Sequence, residues 1–159
     1  MEVRRATITD LDTVINNLQH AKAIMYATGN IHQWSPNYPP KDKLISDIEN
    51  EHCYIAEENG YIVASFTFII GVDPTYNIIK GKWLNQEEYA VIHRIASNGK
   101  SKGVGSKIIQ WCLNQHSNIR IDTHQDNTIM QHLLKKLSFT YCGMIICDDG
   151  TERLAFQHI

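Results

Sequence analysis

The chain has 159 residues, 43% of them hydrophobic and 20% charged, which is typical of a soluble globular protein long enough to bury a core without disulfides. Its formal net charge of -2 argues against a nucleic-acid partner, and no stretch approaches the ~18 apolar residues of a membrane span. The four cysteines form no CxxC pair, the eight histidines are scattered, and the first residues lack the apolar core of a signal peptide. We therefore expect a cytoplasmic protein with reduced cysteines, without a metal and without a membrane or nucleic-acid partner.

The N-terminal half of the chain predicts a strand, two helices and a hairpin. "EVRRATITD" alternates as a strand does, and Thr9-Asp10 offer an N-cap for the helix that follows. That helix keeps a 3.6-residue apolar period from Leu11 to Met25 and should stop near Thr28-Gly29-Asn30. A Pro-rich loop, "IHQWSPNYPP", and a short helix, "KDKLISDIENE", come next. "CYIAEENGYIVASFTFIIG" has two β-rich runs around Asn59-Gly60, which favours a tight hairpin.

The C-terminal half predicts a strand–helix–strand unit between antiparallel hairpins. "VDPTYNIIKGKWLNQEE" is irregular and polar, and we expect it to run over the surface. The elements after it are a strand in "EYAVIHRIA", an amphipathic helix over Ser106–His116, a strand in "NIRIDTH" and a helix in "NTIMQHLLKKL" capped by Asn127. "FTYCGMIIC" and "TERLAFQHI" flank Asp148-Asp149-Gly150 as a second hairpin. The order β-α-α-β-β-β-α-β-α-β-β predicts a mixed α/β (α+β) sheet in one domain, residues 1–159.

A glycine loop lies between the central strand and helix, in "IASNGKSKGVGSKIIQWC". The first N–H groups of a helix have no partner and carry partial positive charge, so glycines before them let a phosphate approach closely. Lys100 and Lys102 add charge, and Ser106 adds a hydroxyl. Neither a Walker A loop nor a Rossmann GxGxxG fits, because the spacing around Gly103 and Gly105 differs from both. On these residues alone, a plain tight turn stays an alternative to a phosphate site.

Two segments resemble motifs of one enzyme family. "KSKGVGSKIIQWC" resembles motif A of the GNAT acetyltransferase family, Q/R-x-x-G-x-G/A, which holds the pyrophosphate of acetyl-CoA. Lys100 takes the Q/R position, and Gly103 and Gly105 take the small positions. "DNTIMQHLLKKLSFTYCG" resembles motif B, and the element order is that of the family. The resemblance covers nearly the full length and implies the GNAT acyl-CoA acyltransferase fold.

The chain departs from the family pattern at three positions that matter for function. Lys100 keeps a positive charge but lacks the planar fork of arginine. Ser138 replaces the usual glycine of motif B. The tyrosine with which many members protonate the leaving thiolate would fall at Leu134, which has no proton to donate.

The resemblance implies acetyl-CoA as the co-substrate, bound where the two central strands separate. Its pantetheine arm would pair with main chain near Ile95 and Ala96, and its phosphates would meet the glycine loop. The residues that the resemblance assigns to the donor are Ile95, Ala96, Lys100, Ser101, Lys102, Gly103, Val104, Gly105, Ser106 and Asn127.

Three residues are candidates for proton transfer. His93, on the central strand, is a candidate base because histidine ordinarily changes its charge near neutral pH, although this residue can equally face the other side of the sheet and pack there. His124 follows the next strand and can meet the acceptor or cap the following helix. Tyr141 is the nearest phenol after motif B and the fallback acid, although core packing explains it as well.

The acceptor should meet "GNIHQWSPNYPP", because the family uses the loop between its first two helices as a substrate wall. Trp34 and Tyr38 would contact it there, although Trp34 can instead pin the loop to the core. These features predict an N-acetyltransferase whose primary-amine acceptor, on a small molecule or a peptide, attacks the donor directly. Another acyl-CoA, a non-catalytic CoA-binding regulatory module, a nucleotide-phosphate binder and a homodimeric state stay open.

Overall fold

The computed structural model describes residues 1–159 as one eight-stranded sheet with four α-helices. The strands are β1 (Glu2–Arg5), β2 (Cys53–Glu58), β3 (Tyr61–Ile70), β4 (Lys80–Gly81), β5 (Ala90–Ser97), β6 (Ile119–Thr123), β7 (Thr140–Ile146) and β8 (Glu152–His158). The helices are α1 (Leu11–Ala27), α2 (Lys41–Glu49), α3 (Val104–Gln115) and α4 (Thr128–Lys136). Short 3-10 helices span Ile8–Asp10 and Pro74–Tyr76. The predicted element order is confirmed, with β4 as an addition.

The sheet is antiparallel except at its centre. Its strand order is β1-β2-β3-β5-β6-β8-β7-β4, and β5 and β6 are the parallel pair. That pair is short, because its register holds only Ala90 opposite Ile119 and Val91 opposite Arg120. Beyond Val91, β5 continues beside β3 while β6 continues beside β8. The sheet therefore opens between its two central strands toward their C-terminal ends.

The helices cover both faces of the sheet. α3 and α4 bury apolar side chains such as Ile108 and Leu134 against Phe66 and Ile92, while α1 and α2 pack around Ile55. A third cluster contains Tyr76, Trp83, Tyr89, Val91, Ile145 and Ala155. Because Val91 alternates with Ile92 along β5, this cluster lies on the face opposite α3 and α4. None of the helices is both long and apolar enough to cross a membrane.

Local sequence signals mostly form the structures they predict. Asn59 and Gly60 both have positive φ, 53° and 79°, as the predicted tight turn requires. α1 ends at Ala27 as expected, with Gly29 at φ 86° just after it. The Asn127 side chain accepts a 3.0 Å hydrogen bond from the Met130 amide, which confirms the predicted cap of α4.

α1 begins at Leu11 with Asp10 at its N-cap position, as predicted, but the Asp10 side chain does not cap the helix amides. A 3-10 turn over Ile8–Asp10 runs directly into α1, so the helical backbone begins three residues before the apolar period that starts at Leu11. The Asp10 carboxylate accepts from the Thr7 amide at 2.8 Å and from Arg4 at 2.8 Å, and makes no side-chain bond to an amide of α1. Asp10 thus fastens β1 to the turn before α1.

The segment over residues 72–88 is mostly exposed, as predicted, but it is not irregular throughout. It contains the 3-10 helix Pro74–Tyr76 and β4, which pairs with β7. Tyr76 and Trp83 are only 1% and 4% exposed, because they fill the space over β5, β7 and β8 that α1 and α2 leave uncovered. Most of the segment is exposed, and its packing comes from these two aromatic side chains together with the partly buried Ile79.

Candidate active site

A cleft of about 900 Å³ lies at the opening between β5 and β6. One wall is the loop between α1 and α2, which contributes Trp34 and Tyr38. The floor is formed by β5 residues from Val91 to Ile95, and the far wall by Asp122 and the turn after β7. The strands separate there. The main-chain groups on the β6 side of β5 therefore have no strand partner beyond Val91.

The side chains of His93 and Arg94 line this cleft, next to a β-bulge in β5. Thr67 pairs with His93 and Ser65 pairs with Ala96, so β5 carries one extra residue between these positions. Arg94 lies at that point with a φ of 52°, a left-handed conformation that is rare for a residue with a side chain. The bulge lies at the opening between β5 and β6.

The Arg94 guanidinium is anchored by three side chains from other elements. It pairs with the Asp47 carboxylate of α2, and it donates to the Thr67 hydroxyl at 3.2 Å and to the Tyr38 hydroxyl at 3.1 Å. Burial alone would lower the pKa of Arg94, but the charge and hydrogen bonds of Tyr38 and Asp47 outweigh it and raise that pKa. The guanidinium therefore stays charged and ties β5 to α2 and to the loop.

His93 faces the cleft between two carboxylates. Its Nε2 is 2.8 Å from Asp73 Oδ2, and its Nδ1 is 4.0 Å from Asp122 Oδ2. Burial would raise the pKa of Asp73, but the hydrogen bond to His93 reverses that effect and the pKa is lowered. An ionised Asp73 accepts a hydrogen bond from the Nε2–H of His93, which leaves Nδ1 as the ring nitrogen free to take a proton. The alternative in which His93 faces away from the opening is excluded.

Asp122 is held by a buried phenol. The Tyr76 hydroxyl donates to Asp122 Oδ2 at 2.6 Å. Burial raises the pKa of Tyr76 well above its usual value of 10, and the Asp122 charge raises it further, so this hydroxyl stays protonated. The single proton of the Tyr76 hydroxyl is thus donated to Asp122, and this hydrogen bond orients the Asp122 carboxylate toward the cleft.

Asp73 is a site residue that the sequence reading missed. It precedes the 3-10 helix Pro74–Tyr76, where its Oδ1 accepts from the Thr75 amide at 2.9 Å. The signal was present, because an Asp followed directly by Pro is a common start of a helical turn. What the sequence could not indicate is that this turn returns to β5, 20 residues further along the chain, and places the second oxygen on His93.

The glycine loop opens α3 as a phosphate site requires. Gly103 is the residue before the first turn, with φ 68°, and α3 begins at Val104 instead of the predicted Ser106. A Cβ on Gly103 would meet no atom within 4 Å, so the space beside it is open. Lys100 and Lys102 are exposed next to it. Free helix amides, open space and two cations together fit a pyrophosphate.

Gly105 lies in the first turn of α3, next to α4. A Cβ at this position would lie 3.4 Å from Leu133 Cδ2 of α4, which is close to an ordinary van der Waals contact. The Val104 side chain is buried in the core, and only its main chain can face a phosphate. Of the two glycines, Gly103 is the one whose left-handed φ requires glycine.

Glu58, at the end of β2, binds one residue of the glycine loop and one residue of α3. It accepts from the Ser101 hydroxyl and from the Lys107 ammonium, both at 2.5 Å. The hydrogen bond from Lys107 lowers the pKa of Glu58, followed by that from Ser101. Ser101 and Lys107 are thus engaged with Glu58, and Lys100 and Lys102 are the side-chain cations left for an anion. The sequence reading missed this role of Glu58, which lies more than 40 residues from the loop.

Four of the other predicted site residues line the cleft, and two do not. Trp34, Tyr38, Ile95 and Asn127 line the cleft, and Trp34 also packs against the cluster around α1 and α2, so both of its expected roles occur together. Ala96 is fully buried and Ser106 partly exposed in the first turn of α3.

His124 and Tyr141 lie outside the cleft. His124 is buried, and its Nδ1 accepts from the Asp126 amide at 3.0 Å, which is the helix-capping alternative. Burial lowers the pKa of His124 against the opposing charge of Asp126. Tyr141 is 54% exposed on β7 and packs edge-on against Phe156. We assign neither residue a role in proton transfer.

The two motif B departures have clear structural settings. Leu134 is fully buried in the main core cluster, so nothing at this position can donate a proton. Ser138 follows α4 with a φ of 64°, the conformation that the family's usual glycine adopts without strain. The chain therefore retains the backbone shape of motif B but not its phenol.

A mixed sheet that opens between two parallel central strands, with a glycine-led helix at the opening, defines an acyltransferase of the GNAT fold class. The model of the acetyltransferase (GNAT) family matches residues 20–139. The chain belongs to this family. It is therefore an acyltransferase, which sets aside the non-catalytic module and the nucleotide-phosphate binder.

Solved structures agree with this assignment. A GNAT acetyltransferase from Streptococcus agalactiae 2603 is 32% identical, with a TM-score of 0.89 over 99% of this chain and 94% of that chain. A ribosomal-protein-alanine N-acetyltransferase from Brucella melitensis (17% identity, TM-score 0.65, 100% and 99% covered) and an agmatine N-acetyltransferase (14%, 0.67, 99% and 99%) share the fold. A comparison with curated protein sequences finds no match.

Proposed function

We propose that the protein is an N-acetyltransferase that moves an acetyl group from acetyl-CoA to a primary amine by direct attack. The observation that carries this proposal is His93, which lies at the opening between β5 and β6 with Asp73 on Nε2 and with Nδ1 free. A base is needed there because an alkylammonium with a pKa near ~10 is mostly charged at neutral pH and cannot attack a thioester.

The donor side rests on main chain more than on side chains. The first amides of α3 and the exposed Lys100 and Lys102 would hold the phosphates, with Gly103 leaving room for them. The pantetheine arm would lie along β5 near Ile95 and Ala96, on the β6 side, where β6 no longer pairs with β5. An N–H of this strand end can stabilise the thioester oxygen as it becomes negative, a contribution of about 3 kcal/mol.

The acceptor side is built from Asp73, His93, Asp122 and the aromatic loop. Nδ1 of His93 would take a proton from the bound amine, and the imidazolium that forms would lie between Asp73 and Asp122, 2.8 and 4.0 Å away. Asp73 fixes the ring and its tautomer. Trp34 and Tyr38 would pack against the carbon skeleton of the acceptor.

The experiment must cover several classes of amine acceptor. Two proteins that share the fold carry names for different acceptors, agmatine and a ribosomal-protein alanine, and at 14% and 17% identity they bear on the fold alone. A cleft of about 900 Å³ leaves room for a small amine or for the end of a peptide. Both classes belong in the test.

The test is release of free CoA from acetyl-CoA in the presence of small amines, polyamines and peptides with a free N-terminus, with other acyl-CoA donors in parallel. We expect turnover with at least one amine, and a product acetylated on nitrogen. His93→Gln should lower kcat by about 10²-fold or more while acetyl-CoA affinity changes little. His132→Gln, an exposed histidine on α4, is the matched control. Equal turnover in the His93 variant would remove His93 as the base.

Three further expectations accompany this proposal. One sheet takes in residues near both ends of the chain, which supports the description of residues 1–159 as one domain. The cytoplasmic location and the homodimer stay predictions. Size-exclusion chromatography with light scattering tests the second of these.

A further inference from the structure

The reaction needs an acid as well as a base, and the usual position for it is filled by Leu134. When the acetyl carbon leaves sulfur, the thiolate of CoA takes the bonding electron pair and is stabilised if a proton reaches it. Leu134 is fully buried and apolar. Tyr141, the next phenol along the chain, is exposed on β7 and does not line the cleft. The proton must come from another part of the fold.

Among the seven tyrosines, Tyr38 alone lines the cleft. Tyr76 lies behind it, but its proton is committed to Asp122 and burial raises its pKa well above the usual value. The Tyr89 hydroxyl accepts from the Asp73 amide behind β5. Tyr38 is half-buried in the loop between α1 and α2, with its ring 5.9 Å from that of Trp34. It is the phenol in position to meet a bound thioester.

The hydrogen bonds of Tyr38 leave its proton free. Its oxygen accepts from Arg94 Nη1 at 3.1 Å, and its own O–H has no acceptor in the protein. Arg94 has no lone pair with which to accept a hydrogen bond, so the Tyr38 O–H is free to turn toward the cleft. A charged donor on the phenol oxygen also binds more strongly if that oxygen becomes negative. The arrangement suits a hydroxyl that gives its proton away.

Arg94 also fixes where Tyr38 stands relative to the donor. It belongs to β5 between His93 and Ile95, at the bulge where the strand opens, and Asp47 and Thr67 hold its guanidinium. The Tyr38 hydroxyl is therefore attached to the strand along which the thioester would lie. His93 and Tyr38 reach the same opening from different elements, the first from β5 and the second from the loop.

We propose that Tyr38 is the general acid that protonates the leaving thiolate, an inference that rests on the proposed acetyl transfer. Nδ1 of His93 first takes the ammonium proton of the acceptor and passes it to water. The neutral amine nitrogen then forms the new bond to the acetyl carbon and gives a second proton to Nδ1. The C–S bond then breaks, its electron pair goes to sulfur, and the Tyr38 proton moves to that sulfur. Water carries a proton from the imidazolium back to the phenolate. The products are the acetylated amine and the free thiol of CoA, and both side chains return to their starting states.

Tyr38→Phe and Tyr141→Phe form a matched pair of variants. Each removes one hydroxyl and keeps the ring. We expect Tyr38→Phe to lower kcat by about 10²-fold, the lower end of the range for general acid catalysis, with acetyl-CoA affinity within twofold of wild type by calorimetry. Tyr141→Phe should keep the wild-type kcat. Circular dichroism and thermal melting verify that both variants are folded.

The pH profile separates an acid from a residue that only shapes the loop. An essential acid makes kcat fall as the pH rises, because the deprotonated form has no proton to give. That alkaline limb should be absent from the residual activity of Tyr38→Phe. With 3-fluorotyrosine at position 38, whose phenol is more acidic, the limb should move to lower pH. A structural contact would leave the limb where it is in both proteins.

Two results would overturn the inference while the proposed function stands. The first is wild-type kcat in Tyr38→Phe, or the loss of activity in Tyr141→Phe instead. The second is a lowered kcat whose alkaline limb is unchanged in Tyr38→Phe and unmoved by 3-fluorotyrosine. A wild-type protein that turns over no amine would overturn the proposed function and this inference together.

Discussion

Of two substitutions of Asp73, we expect Asp73→Asn to give the less active protein and Asp73→Ala to give the less stable one. The carboxylate performs two tasks at once, since Oδ1 accepts from the Thr75 amide at 2.9 Å and Oδ2 accepts from His93 Nε2 at 2.8 Å. Asparagine has one oxygen and one NH₂, so it can accept only one of these bonds. All partners are satisfied if its oxygen keeps the Thr75 amide and its NH₂ donates to Nε2. That arrangement moves the His93 proton to Nδ1.

The size of each effect follows from these bonds. With its proton on Nδ1, His93 has no free nitrogen toward the amine, so Asp73→Asn should lower kcat by about 10²-fold or more. Asp73→Ala leaves the ring free to choose its tautomer and should lower kcat only about 10-fold. The same alanine removes the cap on Thr75, a loss of about 1 kcal/mol, or roughly 2–4 °C in Tm. The asparagine variant keeps that cap and should melt close to wild type.

The assay is steady-state CoA release with the best amine of the panel, together with thermal melting of all three proteins. The more active variant should be the less stable one. This crossing distinguishes control of the tautomer from general damage to the cleft, which would lower both quantities in the same variant. If Asp73→Asn retained more activity than Asp73→Ala, the idea that Asp73 sets the His93 tautomer would be wrong.

Three further predictions concern Gly103 in the glycine loop, Ser138 after α4, and Asp10 in the turn before α1. Gly103→Glu should weaken acetyl-CoA binding by about 10²-fold, because its carboxylate would enter the open phosphate space with a repulsion of roughly 3 kcal/mol at 6 Å. Ser138→Gly should stabilise the protein by about 1 kcal/mol, since it relieves a φ of 64°. The hydrogen bond from Arg4 lowers the pKa of Asp10 from 3.8 to about 2. Its contribution to stability is complete above pH ~4 and is lost as the pH falls toward 2; because Arg4 is 42% exposed, we expect about 1 kcal/mol.

Each of these predictions has a matched control. Gly103→Ala introduces the same backbone strain without a charge, so its acetyl-CoA affinity should stay within about fivefold of wild type; equal weakening by alanine and glutamate would contradict the phosphate site. Ser117→Gly lies at an ordinary φ and should destabilise the protein, unlike Ser138→Gly. Asp12→Asn, on the exposed side of α1, should keep the acid sensitivity of wild type, whereas Asp10→Asn should lose about 1 kcal/mol of it. An unchanged acid limb in Asp10→Asn would rule out the Arg4 pair as its cause.

The donor side of the cleft was predictable because it is made of local structure. A glycine in the left-handed conformation before a helix, and an Asn cap at the next helix, follow from residues adjacent in sequence. The Asn59-Gly60 turn follows in the same way. The proximity of Gly105 to Leu133, on another helix, could not be predicted from a short window of sequence. Patterns in a short window predict backbone shape well and long-range contacts poorly.

The acceptor side was not predictable, because each of its contacts joins distant segments. Asp73 reaches His93 from 20 residues away, and Tyr76 reaches Asp122 from 46. The segment from 72 to 88 looked like surface, since aromatic residues spaced among polar ones match neither a helical nor a strand period. Its burial arises only when β7 and β8 return to the sheet and leave a space that Tyr76 and Trp83 fill. No local rule contains that information.

Arg94 shows how the two sides become one site. A glycine would adopt φ 52° without strain, whereas a residue with a side chain loses roughly 1–2 kcal/mol there. Such a conformation persists only where the surroundings fix it, and here Asp47, Thr67 and Tyr38 do so through the guanidinium. A glycine bulge would open β5 equally well but would leave the loop unattached and the Asp47 charge without its guanidinium partner. The strained arginine therefore connects the strand that would carry the donor with the loop that would enclose the acceptor.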